Sequence, residues 1–326
     1  MSAPSPPLPL AREREKAAGR VCPVDYTYSP AVFARAPDLT AETLYVVGGL
    51  YGNLAALTAI ETLAAAERVR PAIVFNGDFH WFDAEPNWFT AIEHGVAPHR
   101  ALRGNVETEI ARAADVGAGC GCAYPDAVDE DFVLRSNAIL SQLRACTPPT
   151  VRARLRALPM HLVTQVGNLR VGIVHGDACA LAGWRFAHDG LDDPRRQYWL
   201  DDVRAASQID VFASTHTCLA ALRDLSLPGG RLTIVNNGAA GMPNFLGTGF
   251  GVITRIATSA SPHRPLYGLQ RNGVHIDAVA VEYDRRAFLG RFLERWPKDS
   301  AAHASYHRRI VDGPDYTIAR ARAAVA

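Results

Sequence analysis

An excess of either charge is missing from this chain of 326 residues: 34 Lys and Arg stand against 33 Asp and Glu. That balance excludes the electrostatic footprint of a nucleic-acid or anionic-membrane binder. Long apolar runs are missing too; the widest are strand-sized, well short of the ~20 residues that span a bilayer. The opening, MSAPSPPLPLAREREKAAGR, has neither the basic start nor the unbroken apolar stretch of a secretory signal. Cysteine is sparse, and six in a chain this long do not make a disulfide framework. No repeat recurs at a fixed period. Together these absences lead us to expect a cytoplasmic protein. With 48% hydrophobic and 21% charged residues, it can bury a sizeable core in one large or two medium domains.

What is present is a series of apolar runs that end in polar, chemistry-bearing turns. In IVFNGDFHWFD (73–83) the β-run Ile73–Phe75 stops at Asn76-Gly77 and delivers Asp78 onto the loop past the strand's C-terminal end. Ligands of open α/β sheets collect there. LYVVGGLYGN (44–53), LRVGIVHGD (169–177) and IDVFASTHT (209–217) repeat the design, and LRGNVE (102–107) sets an amide beside an acid on a Gly turn. Strand Leu44–Val47, helix Asn53–Arg68 and strand Ile73–Phe75 form a β-α-β unit, which favours parallel pairing. Helices are expected at Trp88–Glu93, Asn105–Ala114, near Tyr198–Ala206 and, split by Pro148-Pro149, at Asp129–Cys146 and Thr150–Leu158. MHLVTQV and LRVGIVHG read as a hairpin; further strands are Val211–Ala213, RLTIVNNG (231–238), GFGVITRIA (249–257) and HIDAVAVEY (275–283). Residues 1–20 read as a flexible arm, 22–40 as an extended surface segment, and the tail from Arg285 as basic and helical. The layout is an arm at 1–40, a domain at 41–285 with a helical insert at about 115–158, and an extension at 286–326.

Five stretches, in order, resemble the calcineurin-like metallophosphoesterase family, whose blocks read D-x-H-G-N, G-D-x-x-D, G-N-H-E/D, a strand ending in H-G, and G-H-x-H. Here they are Gly49-Leu50-Tyr51-Gly52-Asn53, Gly77-Asp78, Gly104-Asn105-Val106-Glu107, His175-Gly176-Asp177 and Ala213-Ser214-Thr215-His216. The match runs over roughly residues 43–285. It implies a four-layer α/β/β/α sandwich and metal-dependent hydrolysis of a small-molecule phosphomonoester or phosphodiester. Its cofactor would be one or two divalent transition ions (Mn, Fe, Zn or Ni). Carried over residue by residue, Asp78, Asn105, His175 and His216 remain as metal ligands. Gly49 replaces an Asp, Tyr51 and Ser214 replace His, and Val106 stands where a His would assist the leaving group. Three mixed N and O ligands can still hold one ion, whereas a two-metal clamp is depleted. A second register makes His216 the first and Cys218 the last residue of the fifth block.

His80 is the candidate replacement ligand, with Asp83, Cys179 and Cys218 as further neighbours. Arg103 is a candidate phosphate clamp beside Asn105. Tyr51, Asn53 and Ser214 are candidate substrate contacts, since the helix opened by Gly52-Asn53 offers free N–H groups to an anion. Phe79–Phe82 also reads as an aromatic packing cluster, and Tyr51 as a pocket-lining ring. Cys120 and Cys122 read as small buried thiols of a Gly loop, and the Arg runs at 152–156 and 308–322 as solvated helix faces. The glycines at 48–52 lack the G-x-G-x-x-G spacing of a dinucleotide site. The depleted ligand set leaves a second function open: a non-catalytic descendant that binds a phosphate-bearing ligand or a partner protein.

Overall fold

A computed structural model describes residues 17–322; most of the Pro-rich arm expected at 1–20 lies outside that range. Two six-stranded sheets pack face to face. The first contains β2 (Thr43–Val47), β3 (Ala72–Asn76) and β4 (Arg100–Leu102), all parallel, and continues through β10 (Gly251–Ala257) and β12 (Val274–Val281) to β11 (Tyr267–Arg271). The second runs β1 (Leu39–Ala41), β5 (His161–Val166), β6 (Leu169–Val174), β7 (Val211–Ser214), β9 (Gly230–Asn236), β8 (Ala221–Leu227). Within it β6, β7 and β9 are parallel.

Strand β2 explains the layering. All five of its residues are buried, because both faces of the sheet are covered. Leu44 and Val46 point between the sheets toward Val171, Ile173 and Val211. Tyr45 and Val47 point outward, into a cluster with Ile60 of α1 (Leu54–Ala65) and Trp88 and Ile92 of α2 (Pro86–Val96). The second sheet's outer face is closed by Leu200 and Val203 of α7 (Gln197–Ser207) against Phe212 and Ile234. Each such side chain contributes roughly 1.5–3 kcal/mol by leaving water. The result is the expected α/β/β/α sandwich, with helices on both outer faces. The β2-α1-β3 unit, the helices α4 (Glu130–Cys146) and α5 (Pro149–Ala157) split at Pro148, and the β5–β6 hairpin agree with the pattern in the sequence.

The surface segment expected over 22–40 is a correction. Tyr26 and Phe33 are fully buried, the former bonded to Glu109 and the latter packed on Phe212. Helices also cover the C-terminal stretch: α8 (Arg285–Arg295) and α9 (Ala301–Asp312). Asn76 joins the sheets beneath their C-terminal edges, its Nδ2 donating to the carbonyl of Val174 on β6.

Candidate metal centre

Each strand-end loop contributes one polar group. Asp78 comes after Gly77 at the end of β3, and both adopt left-handed backbone, at φ 53° and 78°. Gly is needed at 77, where a Cβ would drive into the Gly104 backbone. An aspartate in that conformation is strained, and Glu107 holds it. The buried Glu107 carboxylate accepts from the N–H groups of Asp78 (2.7 Å), Phe79 (3.1 Å) and Gly104 (2.8 Å). Burial, then the nearby Asp78 charge, raise Glu107 to about 7.

His175 immediately succeeds β6, His216 lies two residues beyond β7, and Asn105 opens α3 (Asn105–Ala111). His175 Nδ1 donates to the Asn76 carbonyl (2.8 Å), which leaves Nε2 facing inward. His216 Nε2 donates to the Cys122 carbonyl (2.9 Å), which leaves Nδ1 facing inward. Asn105 Nδ2 donates to the Cys120 carbonyl (2.9 Å), turning Oδ1 the same way. Carbonyls only accept, so these outer bonds fix both tautomers and the amide orientation. From His175 Nε2 it is 3.0 Å to Asn105 Oδ1, 3.1 Å to His216 Nδ1 and 3.4 Å to Asp78 Oδ2. Asp78, His175 and His216 each offer an atom within 4.8 Å of the others. Four acceptors thus converge with no donor among them when the rings are neutral. A proton, a cation or a donating water relieves that arrangement. Burial pulls His175 down, but the Asp78 charge outweighs it and the net shift is upward. Burial and the neighbouring His175 drop His216 to about 4, keeping it neutral.

Other expected residues lie elsewhere. His80 does not join the cluster: its ring is buried between carboxylates, Nδ1 to Asp83 at 2.5 Å and Nε2 to Glu93 at 2.8 Å, and stacks on Phe89. Burial lowers it, yet Asp83 and Glu93 prevail and lift it to about 9. His80 is therefore a buried imidazolium, not a ligand. Its contribution to stability is complete below the unfolded value near 6.5 and is lost as pH rises through 9. The melting temperature of the wild type should fall more steeply between about pH 7 and 10 than that of a His80→Gln variant; parallel slopes would contradict the pairing.

Arg103 is also redirected, bonding the Arg156 carbonyl beside Asp25 and Arg112 in a separate surface hollow. Asn53 caps α1 through the Ala56 N–H and donates to Gly241, so both ends of its amide are committed. The Ser214 hydroxyl is buried and has no hydrogen-bond partner among the described residues.

A cavity of about 360 Å³ opens over the cluster, lined by Asp78, Asn105 and His216, with Tyr51 and Cys218 bonded to each other at 2.7 Å; Ser214 is not part of its wall. Its lining cation is Arg309 of α9, which donates to the Cys218 carbonyl (2.6 Å). In the sequence Arg309 is indistinguishable from the solvated arginines around it. Cys120 and Cys122 likewise read as bland thiols, although their carbonyls orient Asn105 and His216. Nothing local marks Arg309 as a cavity residue or a carbonyl as an orienting group.

No protein-family model and no curated protein matches the chain. Among solved structures, a hypothetical protein from Pyrococcus horikoshii OT3 is similar over 85% of this chain and 100% of its own, with TM-score 0.57 and 18% identity. A metallophosphoesterase from Sphaerobacter thermophilus is similar over 83% of this chain and 100% of its own, with TM-score 0.53 and 16% identity. With its two six-stranded sheets and flanking helices, the chain has the calcineurin-like metallophosphoesterase fold.

Proposed function

We propose that this protein is a metal-dependent phosphoester hydrolase working from a single ion. The observation that carries the reading is the convergence of four acceptor atoms from Asp78, Asn105, His175 and His216, each oriented by an outer hydrogen bond. One carboxylate, one amide oxygen and two imidazoles suit a divalent transition metal. Held there, such an ion would supply Lewis acidity toward water and a phosphoryl oxygen. The chain's own residues do the rest. Arg309 offers its guanidinium to a phosphoryl oxygen, and Glu107 keeps the Asp78 loop rigid. Tyr51 lines the wall as a neutral phenol, pushed well above its ordinary value by burial and the neighbouring Cys218.

The test is elemental analysis of protein purified without chelator, together with cleavage of bis(4-nitrophenyl) phosphate with and without added Mn, Zn, Fe or Ni. About one ion per chain and metal-stimulated turnover are expected. Absence of both after loading would remove the assignment. Proton and metal compete for the same cluster, and His175 is the group shifted upward, so metal affinity should rise with pH across neutrality. Titration at about pH 6 and 8 reads this directly; equal affinity at the two would exclude His175 as a ligand.

The second reading, a non-catalytic phosphate-ligand or partner binder, is favoured by one observation: the Tyr51 ring fills the space that a side chain at Gly49 would need. It predicts stabilisation by phosphate compounds without turnover.

A further inference from the structure

The cavity over the metal cluster has a wall of a different character. Trp81, Tyr306, Phe132, Tyr124 and Trp184 succeed one another in ring contact around it, with centroids 6.3, 5.5, 5.7 and 5.9 Å apart. The series ends on His216, 5.3 Å from Trp184. The contacts are edge-on or tilted, with interplanar angles from 51° to 83°. Rings held this way around a hollow turn both faces and edges toward its contents, the arrangement that receives a flat ring better than a puckered one.

The charges narrow the choice. Arg309 is the lining cation; Asp129 lies at the same wall, and Asp78 belongs to the metal cluster. Counted with the divalent ion of the hydrolase reading, Arg309 against Asp78 and Asp129 leaves one positive charge, which balances a monoanion better than a dianion. A volume of about 360 Å³ is at the small end of ligand sites, room for one phosphoryl group and one aromatic substituent.

Resting on the hydrolase reading, we propose that the substrate is a monoanionic phosphoester, a diester or phosphonate ester, carrying a planar aromatic group that the ring wall holds beside the metal cluster. The lining residues fit an aryl oxide as the departing group. Hydrolysis adds water's oxygen to phosphorus and breaks the P–O(aryl) bond, whose electron pair leaves with the aryl oxide; water's protons go to solvent. An alkoxide would need a proton donor, and the polar groups of the wall are already committed: the Tyr124 hydroxyl pairs with Ser136, the Tyr51 hydroxyl with Cys218, and His216 Nε2 donates to the Cys122 carbonyl. An aryl oxide departs without one.

The experiment measures binding, not turnover. Metal-supplemented protein is titrated with phenyl methylphosphonate and with cyclohexyl methylphosphonate, matched in charge and near in size, while tryptophan fluorescence is recorded. The phenyl ester should bind about tenfold tighter. Phe132→Leu and Tyr306→Leu, each confirmed folded by its melting curve, should each cut that ratio about threefold. Equal affinity for the two esters, or a ratio unchanged in both variants, overturns the proposal. A phenyl preference in a protein that cleaves no ester supports the ring wall and removes the hydrolase reading; turnover of aryl diesters with no phenyl preference does the reverse.

Discussion

Asp78→Ala should strip the protein of its ion and lower kcat/KM on bis(4-nitrophenyl) phosphate on the order of 10³-fold, the scale of several kcal/mol that a metal supplies to charge stabilisation. The size comes from position. Asp78 is the carboxylate among four converging acceptor atoms, and its charge is what holds His175 upward against burial. Two imidazoles and an amide without it make a weak neutral site. The fold should survive, because the loop's N–H groups are held by Glu107 rather than by the Asp78 side chain. Among the described residues, the backbone N–H that the Asp78 carboxylate accepts from is that of Val106. Circular dichroism and melting within a few degrees of wild type, together with lost metal in elemental analysis, are the expected pair. A folded Asp78→Ala protein with full metal content and unchanged turnover would place the reactive centre elsewhere. Glu107→Gln gives a graded companion: an amide has one acceptor oxygen for donors that now share two, so the Asp78 loop should loosen while its carboxylate remains.

Much of this site was legible because it is built on strand ends. Apolar β-runs such as Ile73–Phe75 and Val171–Val174 are strong signals, and a parallel sheet must present the residues beyond them along one edge. So Asp78, His175, His216 and Asn105 could be read together from residues far apart in number. The residues that escaped share a physical cause: a side chain's destination is separate from its place in the chain. His80 sits two residues from Asp78, yet the left-handed turn at Gly77-Asp78 sends it outward between Asp83 and Glu93. Arg103 adjoins the Gly104-Asn105 turn and bonds the Arg156 carbonyl instead. Arg309 enters from far beyond His216 in the chain, by tertiary packing alone. The unexpected strands divide by how much local signal they carry. The turn at Asn272-Gly273, both at positive φ, joins β11 to β12, and Asn-Gly between β-runs is a strong short-range hairpin signal. In contrast, β8 carries Arg223 and Asp224 in its middle, which breaks the apolar alternation; in the fold it pairs antiparallel along β9, and Arg223 is buried against Asp192 and the Ala321 carbonyl.

Gly49→Asp should destabilise the protein by roughly 3 kcal/mol, although a carboxylate there would superficially enrich the metal site. A Cβ at Gly49 falls on the outer edge of the Tyr51 ring and its hydroxyl. That ring has no ready retreat: Tyr51 is buried, its backbone is left-handed at φ 52°, its hydroxyl bonds Cys218 at 2.7 Å, and its ring meets Phe82. The glycine and the tyrosine are therefore one feature, a small residue and a large one filling a single space. Gly49→Asp should thus be far better tolerated together with Tyr51→His than alone, a coupling read by a double-mutant cycle of melting temperatures. His is among the residues that accept a left-handed backbone, so the exchange adds no new strain. The double variant also places a carboxylate and an imidazole beside Asp78, and its metal content should rise above that of the wild type toward about two ions per chain. If Gly49→Asp alone melts like the wild type, the ring does not occupy that space, and the case for a single-ion centre loses its physical cause. If the pair is tolerated but binds no additional metal, the Asp78 loop is set for one ion by Glu107 rather than by the tyrosine.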